Sequence, residues 1–155
     1  MKLIKYKTDA TADELVLMLS DNERVNKNVN ISDKKGIPYI HCSRNGNKLK
    51  LTCEFKGGAT KDNAFLSGTT ALRAKIIEKN GETQLRGVIT TAPIFHAFLF
   101  SLLLVSIVMC VVNTTFNVTP ICLAVFDLFM YKDEFRKQGI IERYTLRAIK
   151  RLKSQ

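Results

Sequence analysis

Few side chains in this chain could carry chemistry. It has two histidines, His41 and His96, and four cysteines, Cys42, Cys53, Cys110 and Cys122. Structural zinc needs four nitrogen or sulfur ligands at short paired spacings, and no CxxC or Cys/His cluster of that form occurs. Neither histidine lies in a recognised nucleophile motif. Lys56-Gly57-Gly58-Ala59 is glycine-rich but lacks the GK[ST] ending that cradles a phosphate, so it reads as a turn. These absences argue against an enzyme and imply no metal and no cofactor. The cysteines read as small buried apolar residues.

His96 and Asp127 are the most unusual pair, because both sit in long apolar surroundings. A carboxylate in hydrocarbon is costly and finds a partner or a path to water. Two outcomes are open. Asp127 bonds His96 and fixes the register of two helices, or it reaches back to the headgroup zone near Lys132.

The elements that would position this pair come from a segregated composition. The chain has 155 residues and a formal net charge of +10, yet residues 93–131 contain no Lys or Arg and one acid, Asp127. Ile94–Val112 is a strongly apolar run of 19 residues in which His96, near one end, is the costly side chain. As a helix it is roughly 28 Å long, close to the thickness of a bilayer core. It begins far from Met1, so it is no cleaved signal peptide. Phe116–Tyr131 is a second run of roughly 24 Å, slightly short, with Pro120 suited to a first helical turn. The simplest arrangement is a transmembrane helical hairpin closed by the uncharged connection Asn113–Thr119. The alternative is one span followed by an interfacial segment. Lys and Arg crowd both flanks and are absent between the runs, which places both termini in the cytoplasm. Two Asn-x-Thr triplets in the connection lie too near the membrane to be convincing glycosylation acceptors.

After the hairpin, Phe135, Ile141, Tyr144, Ala148, Ile149 and Leu152 recur at helical steps. Arg136, Lys137, Arg143, Arg147, Lys150 and Arg151 fill much of the remainder, and Gly139 is a candidate break. Such a basic amphipathic helix either lies on anionic headgroups or packs on the rest of the protein.

The first 92 residues read as α+β. Lys2–Thr8 alternates like a strand. Asp9 or Thr11 can cap a helix over Ala12–Ser20. Asp21–Lys35 is polar and loop-like. Two hairpins follow, with Ile37–Ser43 and Lys48–Lys56 flanking Asn45-Gly46, and Leu72–Glu78 and Thr83–Thr90 flanking Asn80-Gly81. With Asn45-Gly46 as the turn, Cys42 falls opposite Leu49 and Cys53 near Pro38, so the two cannot bridge. The expected result is an antiparallel meander of four or five strands around the short helix, close to the membrane.

The carrying residues Phe55, Gly57, Gly68, Leu72, Ile76, Asn80-Gly81, Thr83, Leu85 and Gly87, followed by Pro93–Leu104, resemble a type of uncharacterised small bacterial membrane protein. In that type a β-rich N-terminal region runs almost directly into an apolar helical hairpin. The resemblance covers about a third of the chain and implies a bacterial membrane location, with no activity and no functional residues to carry over.

The sequence therefore describes three parts: a cytoplasmic α+β domain over 1–92, a transmembrane hairpin over 93–131 and a basic amphipathic helix over 132–155. The expected role is a non-enzymatic membrane-anchored module. Its expected partners are the bilayer, through anionic headgroups, and a protein partner or second copy. The rival role is an accessory subunit of a transporter or channel. The lysines look scattered in sequence, with no aromatic platform, so nucleic acid is not an expected partner.

Overall fold

The structure is a computed structural model and describes residues 1–26, 37–56, 70–79, 81–112 and 119–154. It is α+β. Its elements in chain order are β1 (Lys2–Thr8), α1 (Ala12–Ser20), α2 (Asn22–Asn26), β2 (Ile37–Asn45), β3 (Lys48–Lys56), β4 (Thr70–Lys79), β5 (Glu82–Thr91), α3 (Pro93–Val112) and α4 (Thr119–Lys153). The glycine turn at 57–59, most of the connection Asn113–Thr119 and Asn80 lie outside the described residues.

The five strands form one antiparallel sheet in the order β1-β5-β4-β3-β2. Strands β2 to β5 are a meander, and β1 closes it beside β5. The strands form because apolar residues alternate with polar ones, so every second side chain can leave water. One face gathers Ile4, Ile40, Leu49, Leu51, Cys53, Leu72, Ala74, Ile76, Leu85 and Ile89, all buried. Against it pack Leu15, Met18 and Leu19 of α1, Val25 of α2, and Ile141, Tyr144, Ala148 and Ile149 of α4. The core is thus sandwiched between one sheet face and three helices.

The start of α1 is fixed by a capping box. Thr11 Oγ1 accepts from the Glu14 amide at 3.3 Å, and the Glu14 carboxylate accepts from the Thr11 amide at 2.8 Å. Two of the orphan amides of the first turn are satisfied reciprocally. The loop expected after Ser20 contains α2, which begins where the Asp21 carboxylate accepts from the Arg24 amide at 2.8 Å and which buries Val25.

The β2–β3 hairpin corrects the expected register. Asn45 pairs with Lys48, so Gly46 and Asn47 make the turn, with Gly46 at φ +57°. Cys42 then opposes Leu51, and Cys53 opposes Ile40. The shift changes partners but not faces, because each residue moves by an even number of positions. It sets Phe55 against Pro38, where the expected register would have wasted Phe55 on Gly36. The β4–β5 register agrees with a turn at Asn80-Gly81, Gly81 taking φ +77°.

The largest departure from expectation is α4. Gly139 does not break it: a single helix of 35 residues runs from the second apolar run through the basic tail, across the boundary expected near residue 131. The apolar part before Lys132 is about 20 Å long, short of a bilayer core of about 30 Å. Among the described helices, α3 is the one long and apolar enough to cross a membrane. It packs along the first part of α4 through Phe95, Leu99 and Ser106. Phe135, expected on the core face, is 63% exposed and stacks near Tyr131 instead. One helical step places Glu134 and Lys137 toward the sheet in its place.

Two glycines predict opposite outcomes. A Cβ on Gly87 would lie 2.5 Å from the Cβ of Ala74 and 2.5 Å from the Arg73 carbonyl oxygen. Gly87→Ala should cost about 1–3 kcal/mol in a denaturant titration, the range for overpacking. A Cβ on Gly139 meets nothing within 4 Å. Gly139→Ala should stabilise by up to about 1 kcal/mol through helix propensity.

Candidate functional site

Among the described residues no helix packs on the second face of the sheet, and the side chains of that face follow directly from the registers. Along one row Lys5 stands beside Arg86, Arg86 beside Lys75, and Lys75 beside Lys48. The next row reads Leu3, Val88, Arg73, Lys50 and Ser43. Strands lie about 4.8 Å apart and same-face residues about 6.7 Å apart along a strand. Six cations therefore share an area about 14 Å by 7 Å. All six are exposed. Five of them, Lys48, Lys50, Arg73, Lys75 and Arg86, line a depression of about 600 Å³ with Ser43, Asn45 and Val88, and Lys5 stands beside it on β1.

The electrostatics of this face are one-sided. Arg86 is held by the Gln84 amide oxygen, which accepts from Nε at 3.2 Å and from Nη2 at 2.7 Å. Among the described residues, Lys5, Lys48, Lys50, Arg73 and Lys75 have no acidic partner. Glu82 and Glu54 point to the same face but are engaged at its margins. Glu82 meets Lys7 Nζ at 2.8 Å, and that ammonium holds its carboxyl below the usual range. Glu54 meets His41 Nε2 at 3.0 Å. Like charges directly opposed across strands destabilise a sheet. Here four adjacent pairs are like-charged, so the isolated fold carries a cost that a bound anion would relieve.

His41 and Glu54 could form an acid–base couple, with Tyr39 edge-on to the imidazole at 4.9 Å. The couple is exposed, at 49% and 42%, and does not line the depression. No group of three or more metal-ligating side chains occurs among the described residues.

The structure does not join His96 to Asp127. His96 is exposed, with its ring near Phe95, and Asp127 Oδ1 is buried without a hydrogen-bond partner. The helix register explains the separation. Gln138 Nε2 donates to Thr91 Oγ1 at 3.3 Å, which levels the two antiparallel helices. Counting back from there, the α4 residue beside His96 is near 133. Asp127 is about 9 Å further from the sheet.

The basic residues of the C-terminal helix do not share one surface. Lys137 is buried, which corrects the expectation of a headgroup contact there. Its ammonium meets Glu134 Oε1 at 2.6 Å and Asp133 Oδ2 at 3.7 Å. Arg136 lies over the Phe55 ring at 5.7 Å. Arg147 donates to Asn26 Oδ1 at 3.0 Å, and Arg143 to the Gly139 carbonyl at 3.1 Å. Lys150 is exposed and Arg151 is half-buried.

Lys137 belongs to a buried polar joint that the sequence did not announce. The Glu134 carboxylate also accepts from Thr70 Oγ1, which lies 3.1 Å from Thr91 Oγ1. The joint clamps α4 to the ends of β4 and β5. Further along, Lys2 Nζ meets Glu142 Oε2 at 2.7 Å, and the Tyr144 hydroxyl donates to the Leu19 carbonyl at 3.0 Å. Burial raises the Tyr144 pKa. Lys153 acts on Glu82 at the opposite end of the sheet. The second half of α4 thus runs along β4 and β5 from one end to the other.

Of the cysteines, Cys53 and Cys42 sit on the core face, buried and half-buried, while Cys110 and Cys122 are exposed on the helices. Burial pushes the Cys53 thiol up to about 12 and raises that of Cys42. Searches against family models, curated proteins and solved structures find no match to this chain.

Two outcomes follow. Removing one partner of a buried ion pair costs about 3–5 kcal/mol. Lys137→Ala should destabilise on that scale, Glu134→Gln in the same background should recover part of it, and a double-mutant cycle reads the coupling. The Cys53 thiol is neutral in the fold and ionises from about 9 when unfolded. Its contribution to stability should be complete below pH 9 and fall away between pH 9 and 12. Melting curves of the chain and of Cys53→Val across that window check it, with the variant losing less.

Proposed function

We propose that the chain is a membrane-anchored binding module without catalytic activity of its own. In this reading α3 and the apolar part of α4 enter the bilayer as a hairpin, and the sheet stands on the cytoplasmic side with its basic face as the binding surface. The observation that carries the reading is the uncovered apolar surface of α3. Only 17% of its apolar window is buried inside the protein. Phe98, Phe100, Leu103, Leu104, Ile107 and Val108 are all exposed, and Ile121, Val125, Phe126, Leu128 and Phe129 continue the patch on α4. A core helix is covered by its own protein, and an exposed apolar patch of this extent calls for lipid or partner. The absence of Lys and Arg from 93–131 supports cytoplasmic placement of both termini.

The unbonded Oδ1 of Asp127 favours a second reading, a subunit of a larger membrane assembly in which another helix supplies the missing donor. Asp127→Leu would then dissolve an oligomer seen by light scattering in detergent, and a monomer unchanged by the substitution dismisses it.

Alkaline carbonate extraction tests the anchor: the chain should stay in the membrane pellet. In a background without its four cysteines, an impermeant thiol reagent should label intact cells at position 117 and not at 61 or 154. Labelling at 154 alone among the three would mean a single span with the tail outside.

A further inference from the structure

We propose that the open sheet face binds the phosphate backbone of nucleic acid. The face offers six cations in two rows, and among the described residues none of the six has an acid to neutralise it. Such a surface selects an anion by charge complementarity. Three kinds of polyanion compete for it, and the structure separates them.

Anionic headgroups fit poorly. This step rests on the anchoring reading given above. Thr70 and Thr91 mark the end of the sheet next to the apolar helices, and α4 continues from the hairpin along β4 and β5. The strands therefore run away from the bilayer, and the face stands beside the membrane normal rather than on the membrane. Arg73 and Val88 lie about 10 Å beyond that end, and Lys75 and Arg86 about 17 Å. Both exceed a Debye length of about 8 Å at physiological salt.

An acidic protein fits less well than a polyelectrolyte. Protein interfaces centre on aromatic and apolar anchors and are depleted in lysine. The apolar side chains that this face presents beside the cations are Leu3, Ile77 and Val88, none of them aromatic, and the Tyr39 and His41 rings lie away from the cations at its β2 margin. Lacking a stacking platform, it would not hold splayed bases either. What remains is the regular phosphate array of a duplex, met by Lys and Arg without reading sequence. In sequence the six residues are dispersed over three hairpin strands and β1; only the strand order β1-β5-β4-β3 assembles them.

The test uses the full chain in nanodiscs of zwitterionic lipid and fluorescence anisotropy with a labelled 20-base-pair DNA duplex and its RNA counterpart. Binding should appear at about 50 mM salt and weaken steeply as salt rises. Arg73→Gln/Lys75→Gln should lose about tenfold or more in affinity and flatten the log–log salt slope by about 2. Lys5→Gln/Arg86→Gln, on other strands, should do the same, while Lys150→Gln/Arg143→Gln on α4 should not. All these side chains are exposed, and melting curves verify that each variant folds. No binding at low salt overturns the proposal, as does binding unchanged in both sheet variants. Tighter binding to polyglutamate assigns the face to an acidic protein, and binding of vesicles with phosphatidylglycerol but of neither nucleic acid assigns it to lipid. Failure of the chain to enter the discs counts against the anchor alone, and the anisotropy is then read on the free chain.

Discussion

The structure depends on one helix that serves two environments. The first part of α4 packs along α3 among exposed apolar side chains, and the second part closes the core of the sheet with Ile141, Tyr144, Ala148 and Ile149. The change of environment falls at Glu134 and Lys137, whose charges are buried against Thr70 and Thr91. Burying two charges costs several kcal/mol per ion unless geometry and added hydrogen bonds repay it. Here the carboxylate has both its ammonium partner and a hydroxyl donor. The arrangement fixes where along α4 the sheet begins, and so fixes how far the apolar helices stand from it.

That fixed level decides the rest. It keeps His96 and Asp127 apart by about a turn and a half. It also turns one sheet face toward α4, α1 and α2, and among the described residues no helix covers the opposite face. That opposite face holds cross-strand pairs of like charge, a locally unfavourable pattern of the kind found where function overrides stability. The pattern is tolerated because each cation reaches water.

Much of the fold was legible in sequence. Lys2–Thr8, Ala12–Ser20 and Lys48–Lys56 have the bounds that alternation and capping imply, and the Asn80-Gly81 turn sets its register unaided. The first hairpin differs from the expected turn by one position, because Asn45-Gly46 and Gly46-Asn47 both satisfy the local need for positive φ; the strand pairing, which sets Asn45 against Lys48 and Phe55 against Pro38, distinguishes them. The break expected at Gly139 did not occur because tertiary contacts of the flanking turns hold the helix through it. The basic face was illegible for a different reason. Period-two alternation tells which residues share a face of one strand, but not which strands are neighbours. The placement of Lys5 beside Arg86 needs β1 to close on β5, a contact between residues far apart in the chain. The polar joint was hidden likewise: Lys137 reads as one more exposed cation until Glu134 and Thr70 are brought beside it.

The fixed level of the sheet relative to the apolar helices requires α4 to be one rigid rod from those helices to the far end of the sheet. Spin labels at Val125 and Lys150, both exposed, measure this directly by pulsed electron resonance in a cysteine-free background. A continuous helix predicts a narrow distance distribution near 38 Å between the two backbones, at 1.5 Å per residue. A broad distribution, or one centred well below that value, would show a hinge between the hairpin and the sheet and would contradict the account.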